Sequence, residues 1–413
     1  MFTYTTIDPS TATVEEIKAE IERMKQLSNE WKNEEQAIKL TINSIYGALG
    51  NKWLVCFNPE VAETITLQGQ NLIKYAEERL NQYFNEFWHK DTELHAKLGI
   101  DYEVRQVKRP VNIYSDTDSC YVSFEEVVES CNWTGDPKQL ILEINEHRLA
   151  SYLNKCFDKY AEKWNTKNHM DFELENISES GIWLAKKKYL INEVWESGIA
   201  MESLSHIIFK GVELAQSSTP AFAREKLKEL VKYVFTKKKS LNKNEMVTIL
   251  RKIKEEFKMA DPEKISMGRS INDYGKYILN DTTAFETGKQ TPIHVRASGY
   301  YNFTLNQSKY KSKYQLIRAG DKVKFYYAKT KHKNAEENVF AYIPGMYPYE
   351  FAPAIDYDEQ FSKTILDPIN RIMVAMGHTE IPVGLQRLTD VTDLKKSDDD
   401  KSEDNLNDYD PFA

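Results

Sequence analysis

Two aspartates separated by one residue stand between two apolar runs, Val111-Asn112-Ile113-Tyr114 before Ser115-Asp116-Thr117-Asp118 and Ser119-Cys120-Tyr121-Val122 after it. The pattern predicts a hairpin whose tip holds both carboxylates, and in extended chain Asp116 and Asp118 point to the same face. Adjacent carboxylates repel unless cations neutralise them. An oxygen-only donor set suits Mg²⁺, which takes one or two carboxylates together with substrate phosphates. An Asp-rich hairpin turn is the plainer alternative at this point.

A second group shares a helix face. Lys39, Asn43 and Tyr46 follow at steps of four and three, with Gly47 leaving room for a ligand to approach. An ammonium binds phosphate well, and a phenol ring is a platform for a base or sugar. Ile38, Ile42, Ile45 and Leu49 fall on another face and are expected to pack inward. An ordinary amphipathic helix would show the same spacing. A third group, Lys186-Lys187-Lys188-Tyr189, follows Gly181-Ile182-Trp183 at a strand start. It could track a phosphate backbone, or be a solvated basic turn.

The elements that must position these groups alternate between periods. Thr13-Val14-Glu15-Glu16 reads as a capping box opening a helix through Leu27, and a second helix runs from near Asn33 to Leu49. A third spans about Val61 to Phe87. Short strands are expected at Val104–Val107 and Val111–Tyr114, helix around Leu140–Trp164, and a strand pair at Trp183-Leu184 and Tyr189–Val194. Pro220–Phe257 is helical and lysine-rich, 293–350 mostly β and loop, and Glu359–Met376 helical with a kink or restart at Pro368. The fold class is α+β.

Composition narrows the field. The 413 residues carry a net charge of −8, with 41% hydrophobic and 12% aromatic residues, so the chain can bury a core. No apolar run approaches the roughly 18 residues of a membrane span. The N-terminus lacks a signal-peptide pattern, and a soluble protein is expected. Cys56, Cys120, Cys131 and Cys156 form no C-x-x-C pair, which disfavours a disulfide scaffold or zinc knot. The charge is unevenly placed. Residues 397–413 hold seven acids and one lysine, leaving only −2 for residues 1–396. Residues 309–333 hold nine Lys or Arg against Asp321, interleaved with Tyr310, Tyr314, Tyr326 and Tyr327, a pattern that fits duplex contact.

Taken in order, the three groups resemble motifs of the family B DNA polymerases. Lys39-x-x-x-Asn43-Ser44-x-Tyr46-Gly47 resembles motif B, Tyr114-Ser115-Asp116-Thr117-Asp118-Ser119 motif C, and Lys186-Lys187-Lys188-Tyr189 the Lys-Lys-Arg-Tyr motif. Within the family, Asn43 to Asn51, and Lys210-Gly211-Val212-Glu213 with Ser217-Ser218-Thr219-Pro220, are most similar to T-even-type bacteriophage replicative polymerases. The resemblance implies an incomplete polymerase right hand: fingers in 1–50, palm in 51–213, thumb in 214–395, and an acidic tail in 396–413. It implies that Lys39 and Asn43 hold the dNTP triphosphate while Tyr46 and Gly47 border the nascent base pair. Asp118 would be the main catalytic and metal-binding carboxylate, with Asp116 accessory and Glu175 a loose match to a further acidic palm residue. Lys187 and Tyr189, flanked by Lys186 and Lys188, would grip the primer. Position 188 departs from the motif, Lys for Arg, losing a bidentate fork. The implied reaction is nucleotidyl transfer with two Mg²⁺ ions.

The family also uses motif A, an Asp-x-x-Ser-Leu-Tyr-Pro-Ser stretch that nothing here resembles, and proofreading exonuclease motifs, likewise without a match. The expectation is therefore the C-terminal catalytic subunit of a split polymerase, needing a separate N-terminal subunit with motif A and the exonuclease. A non-catalytic DNA- and clamp-binding fragment is the alternative. Leu406, Tyr409 and Phe412 in the tail resemble the peptide with which T-even-type polymerases dock on a sliding clamp. Primer-template DNA, dNTP and clamp are the implied partners, and the cytoplasm of a bacterial host is the implied location.

Overall fold

A computed structural model describes residues 7, 8, 10–216, 218–329 and 338–385. Leu406, Tyr409 and Phe412 lie outside them. The fold is α+β with antiparallel sheets, in two compact units, Met1–Glu173 and Leu174–Ala413. Among the described residues, no helix is long and apolar enough to cross a membrane.

The first unit opens with one helix, α1 (Val14–Leu49), rather than the expected pair. No Gly or Pro interrupts residues 28–33, so nothing breaks the backbone ladder there. Its start is the expected capping box: the Thr13 side chain accepts from the Glu16 N–H, and Glu16 accepts from the Thr13 N–H at 2.8 Å. Glu20 is the one buried residue of α1. Ile38, Ile42 and Ile45 are 60 to 63% exposed and do not pack inward as their spacing suggested. Helical spacing puts residues on one face without supplying a surface to cover it.

α2 (Pro59–Gln82) has Asn58 as its N-cap and Pro59 in its first turn, and continues into a π-helical turn, Tyr83–Phe87. Only its second half is buried. Ala76, Leu80, Tyr83, Phe84 and Trp88 form one face of a core completed by Leu94, Val127, Leu140, Ile144 and Phe157. Val104–Val107 stays irregular. Its polar backbone is satisfied without a strand partner, the Val107 carbonyl accepting from Asn85 Nδ2 at 2.8 Å and the Arg105 N–H donating to the Ser130 carbonyl. Against this core lies the hairpin β1 (Asn112–Asp116) and β2 (Ser119–Val122).

The second unit begins with the long hairpin β3 (Asn176–Ala185) and β4 (Lys188–Glu196), extended by the short β5 (Ile199–Ala200) and by β6 (His206–Lys210), which pairs with β4. Helices Ala221–Lys237 and Lys243–Met259 are joined through a 3-10 turn, Lys238–Ser240, and the φ of 47° at Lys238 ends the first. Helix Ile293–Gln307 replaces the β and loop structure expected there. It is buried nearly all round, with Val295, Ala297, Tyr300, Tyr301, Phe303 and Leu305 in the core, so it carries no amphipathic period to read. A three-stranded sheet of Met267–Ser270, Lys322–Tyr327 and Val339–Tyr342 packs against it. The last helical stretch restarts at Asp367–Ala375 with Pro368 in its first turn, as expected.

Candidate functional site

The aspartate pair sits in a two-residue turn. Asp116 pairs with Ser119 in the β1–β2 register, leaving Thr117 and Asp118 as the loop. Asp118 is therefore outside the strand, which corrects the extended-chain expectation for the pair. The turn is tight: the Asp118 N–H donates to the Asp116 carbonyl at 2.6 Å, and Ser119 Oγ donates to the same carbonyl at 3.2 Å. Thr117 takes φ 56°, a left-handed conformation that a β-branched residue rarely adopts and that costs about 1–3 kcal/mol. Asp118 is exposed and Asp116 half-buried, its Oδ1 accepting from Thr117 Oγ1 at 3.1 Å. Two carboxylates are thus held at one tip.

What fixes this tip is a row of polar residues on α2 and its π turn that the motif reading passed over. Asn81 Oδ1 accepts the N–H groups of both Val111 and Asn112, at 2.8 and 3.0 Å. Glu77 receives Ser115 Oγ at 3.4 Å, and Asn85 Nδ2 donates to the Val107 and Arg109 carbonyls. Glu77, Asn81 and Asn85 recur every four residues, one helix row beside the core face. That recurrence was readable. Inside the hairpin, half-buried Cys120 stays a thiol near neutral pH, since burial pushes its pKa up to about 11.

The helix group lies at the C-terminal end of α1. Lys39, Asn43, Tyr46 and Gly47 are all exposed there. Lys39 Nζ pairs with Glu35 Oε1 at 2.6 Å, and the hydrogen bond from Lys39 holds the Glu35 carboxyl below its usual range. Both side chains are more than half exposed, so water screens the pair and a phosphate can displace the carboxylate. The Tyr46 hydroxyl is hydrogen-bonded to Thr66 Oγ1 of α2 at 2.8 Å, which fixes the ring. A Cβ at Gly47 would meet nothing within 4 Å, consistent with an open approach. α2 thus anchors the helix group at Thr66 and the aspartate tip at Glu77 and Asn81, which lie about 16 and about 22 Å from Thr66 along its axis.

In the second unit, Ala185 pairs with Lys188, so Lys186 and Lys187 form the loop between β3 and β4. Lys187 takes φ 61°, and Lys186, Lys187 and Lys188 are exposed. Tyr189 is buried, its ring stacked on Trp183 with centroids 6.3 Å apart. Gly211, with φ 62°, passes beneath this loop. Glu175 lies exposed ahead of β3, its carbonyl accepting from the Ser197 N–H. The basic stretch from 309 reads differently in three dimensions. Tyr314 and Tyr326 are core residues, while Lys313 pairs with Glu350 and Lys324 with Glu263. Lys331 and Lys333 lie outside the described residues.

Comparison with known proteins gives this arrangement a setting. The model of the family described as DNA polymerase family B matches residues 12–376. The chain is 26% identical over 281 residues to the DNA-directed DNA polymerase of Escherichia phage RB69, covering 64% of this chain and 28% of that protein. It is 24% identical over 272 residues to the DNA-directed DNA polymerase of Enterobacteria phage T4, covering 62% and 28%. A DNA polymerase catalytic subunit of Psittacid herpesvirus 1 is 26% identical over 203 residues, covering 48% and 16%. The matched region is thus 28% of the length of each phage relative. With three motifs in order and most of the chain matched, the protein belongs to DNA polymerase family B.

Proposed function

We propose that this chain is the C-terminal catalytic part of a template-dependent DNA polymerase that extends a primer 3′-hydroxyl with dNTPs. The observation that carries this reading is the double anchorage on α2, which ties the Tyr46 ring and the Asp116–Asp118 turn to one helix of the same compact unit. In the proposed division of labour, residues 1–50 are fingers, 51–213 palm and 214–395 thumb.

Lys39 exchanges its Glu35 partner for the triphosphate, with Asn43 beside it. Tyr46 and Gly47 border the nascent base pair. The Lys186–Lys188 loop binds primer phosphates, with Tyr189 setting the start of β4. Exposed Asp118 and half-buried Asp116 are an oxygen donor set that fits Mg²⁺, and Glu175 is a further acidic candidate. When bound, divalent ions would lower the pKa of the primer hydroxyl and neutralise the pyrophosphate leaving group. A single motif C turn is half of a two-metal site. The other carboxylate, motif A, is proposed to come from a separate N-terminal subunit that also carries the exonuclease. The exposed Ile38–Ile42–Ile45 face of α1 suits packing against a helix of that subunit. Leu406, Tyr409 and Phe412 are proposed to anchor the tail on a sliding clamp.

Primer extension tests the reading. Synthesis is expected when this chain is mixed with a polypeptide carrying motif A and absent with either alone. Robust synthesis by this chain alone, or none from the mixture, overturns it.

A further inference from the structure

Glu193 on β4 is 1% exposed, and its Oε2 has no hydrogen-bond partner among the described residues. Removing a carboxylate oxygen from water without a donor is costly. The contrast with its neighbour is direct: buried Asn192, on the opposite face, donates to Glu179 and Ser203 and accepts from the Leu204 N–H. Every polar end of Asn192 is thus used, while Glu193 points an oxygen at two other ligand-bearing side chains.

The first is His206, the register partner of Glu193 on β6, with its Nε2 3.6 Å from Glu193 Oε2. The second is Glu196, three residues along β4, which in a regular strand would face the other way. Ser178 pairs with Glu193 while Ile177 pairs with Trp195, so Val194 is an extra, bulged residue. A bulge shifts the alternation by one and returns Glu196 to the face of Glu193. One ligand atom from each of Glu193, Glu196 and His206 lies within 4.8 Å of the other two.

We propose that Glu193, Glu196 and His206 bind a divalent transition-metal ion, of which Zn²⁺ is the best chemical fit. Carboxylate oxygen and imidazole nitrogen together suit zinc, whereas an imidazole ligand disfavours Mg²⁺ and Ca²⁺. Three protein ligands leave a fourth position for water, and Glu196 and His206 are exposed on that side. Lys210, on the same strand as His206, adds a positive charge near Glu193 without a lone pair to donate. The bound ion would clamp β6 to β4, the strand whose other end begins at the lysine loop. Its ligands belong to the Leu174–Ala413 unit, whereas the aspartate turn belongs to Met1–Glu173.

The test is competition of the metal-stripped full chain against a chromophoric chelator for Zn²⁺. Wild type is expected to hold a tight equivalent that about a tenfold excess of Mg²⁺ does not displace. Glu193→Gln and His206→Gln should weaken it at least about 10-fold. Cys56→Ser and Asp118→Asn should leave it intact, separating this site from an exposed thiol and from the aspartate turn. Zn²⁺ should also raise the melting temperature of wild type and not of His206→Gln. His206 lies at an exposed sheet edge, so its variant is expected to fold, as circular dichroism would verify. No tight equivalent in wild type, unchanged affinity in His206→Gln, or loss of the equivalent in Cys56→Ser or Asp118→Asn overturns the site.

Discussion

Gly211 lies so close to Lys187 that a Cβ on it would stand 2.0 Å from the Lys187 carbonyl oxygen. Both residues are left-handed, with φ of 62° and 61°. The β3–β4 loop and the strand exit at Gly211 therefore share one tight joint, and only glycine fits there. Gly211→Ala is expected to cost about 2–4 kcal/mol, from overlap with backbone added to the left-handed penalty. Gly198→Ala, at φ 92° with nothing within 4 Å, should cost only the conformational part, about 1 kcal/mol. Urea denaturation of both variants measures the difference.

Asp118→Asn should abolish synthesis in the reconstituted polymerase, by at least about 10³-fold, because several kcal/mol of charge stabilisation disappear with the carboxylate. Asp116→Asn should lose less. Asp118 is exposed, so its melting temperature should not change. Equal activity in single-turnover primer extension would remove Asp118 from the reaction.

Asn81→Ala should loosen the aspartate turn without touching it. Two backbone N–H groups, of Val111 and Asn112, lose their acceptor, at about 1–3 kcal/mol. Asn81→Asp keeps an acceptor oxygen and should recover most of the stability and activity. Thermal melts alongside primer extension separate this support role from a general loss of fold.

His95 gives the first unit a pH dependence. It is 6% exposed beside Trp88, and burial holds its pKa below 6.5, with Asp91 opposing the shift and His89 adding to it. The unfolded chain then binds the proton more readily than the folded one. Stability contributed by neutral His95 is complete above about pH 6.5 and is lost as pH falls below it. His95→Phe should show a smaller drop in melting temperature between pH 7.5 and 5.5 than wild type does.

Truncation after Asn405 removes the three candidate clamp anchors. Product length per binding event should shorten in the presence of a clamp and stay the same in its absence. Unchanged processivity with the clamp would assign the tail another role.

The chemistry was more legible than its supports. Asp116 and Asp118, Lys39 to Gly47, and the lysine loop each stand on elements near where the spacing placed them, because short motifs and local turn chemistry are encoded by neighbours. Burial was harder to read. Ile38, Ile42 and Ile45 make a clear helical stripe yet stay exposed, while Tyr314 and Tyr326, interleaved with lysines, lie in the core. Helix Ile293–Gln307 was hidden because a helix covered on every side loses its period. The Glu193–His206 pair was hidden too, since it joins different strands and depends on a bulge at Val194 that no local pattern marks.

Tyr46 and Thr66 tie α1 to α2 near one end of α1. From Tyr46 back to Val14 the helix runs about 48 Å without a break. The tie is thus a fulcrum with a long arm: a tilt of about 5° there would sweep the far end through about 4 Å. A spectroscopic label near Val14 would magnify small angular changes at the Lys39–Tyr46 face into displacements large enough to read.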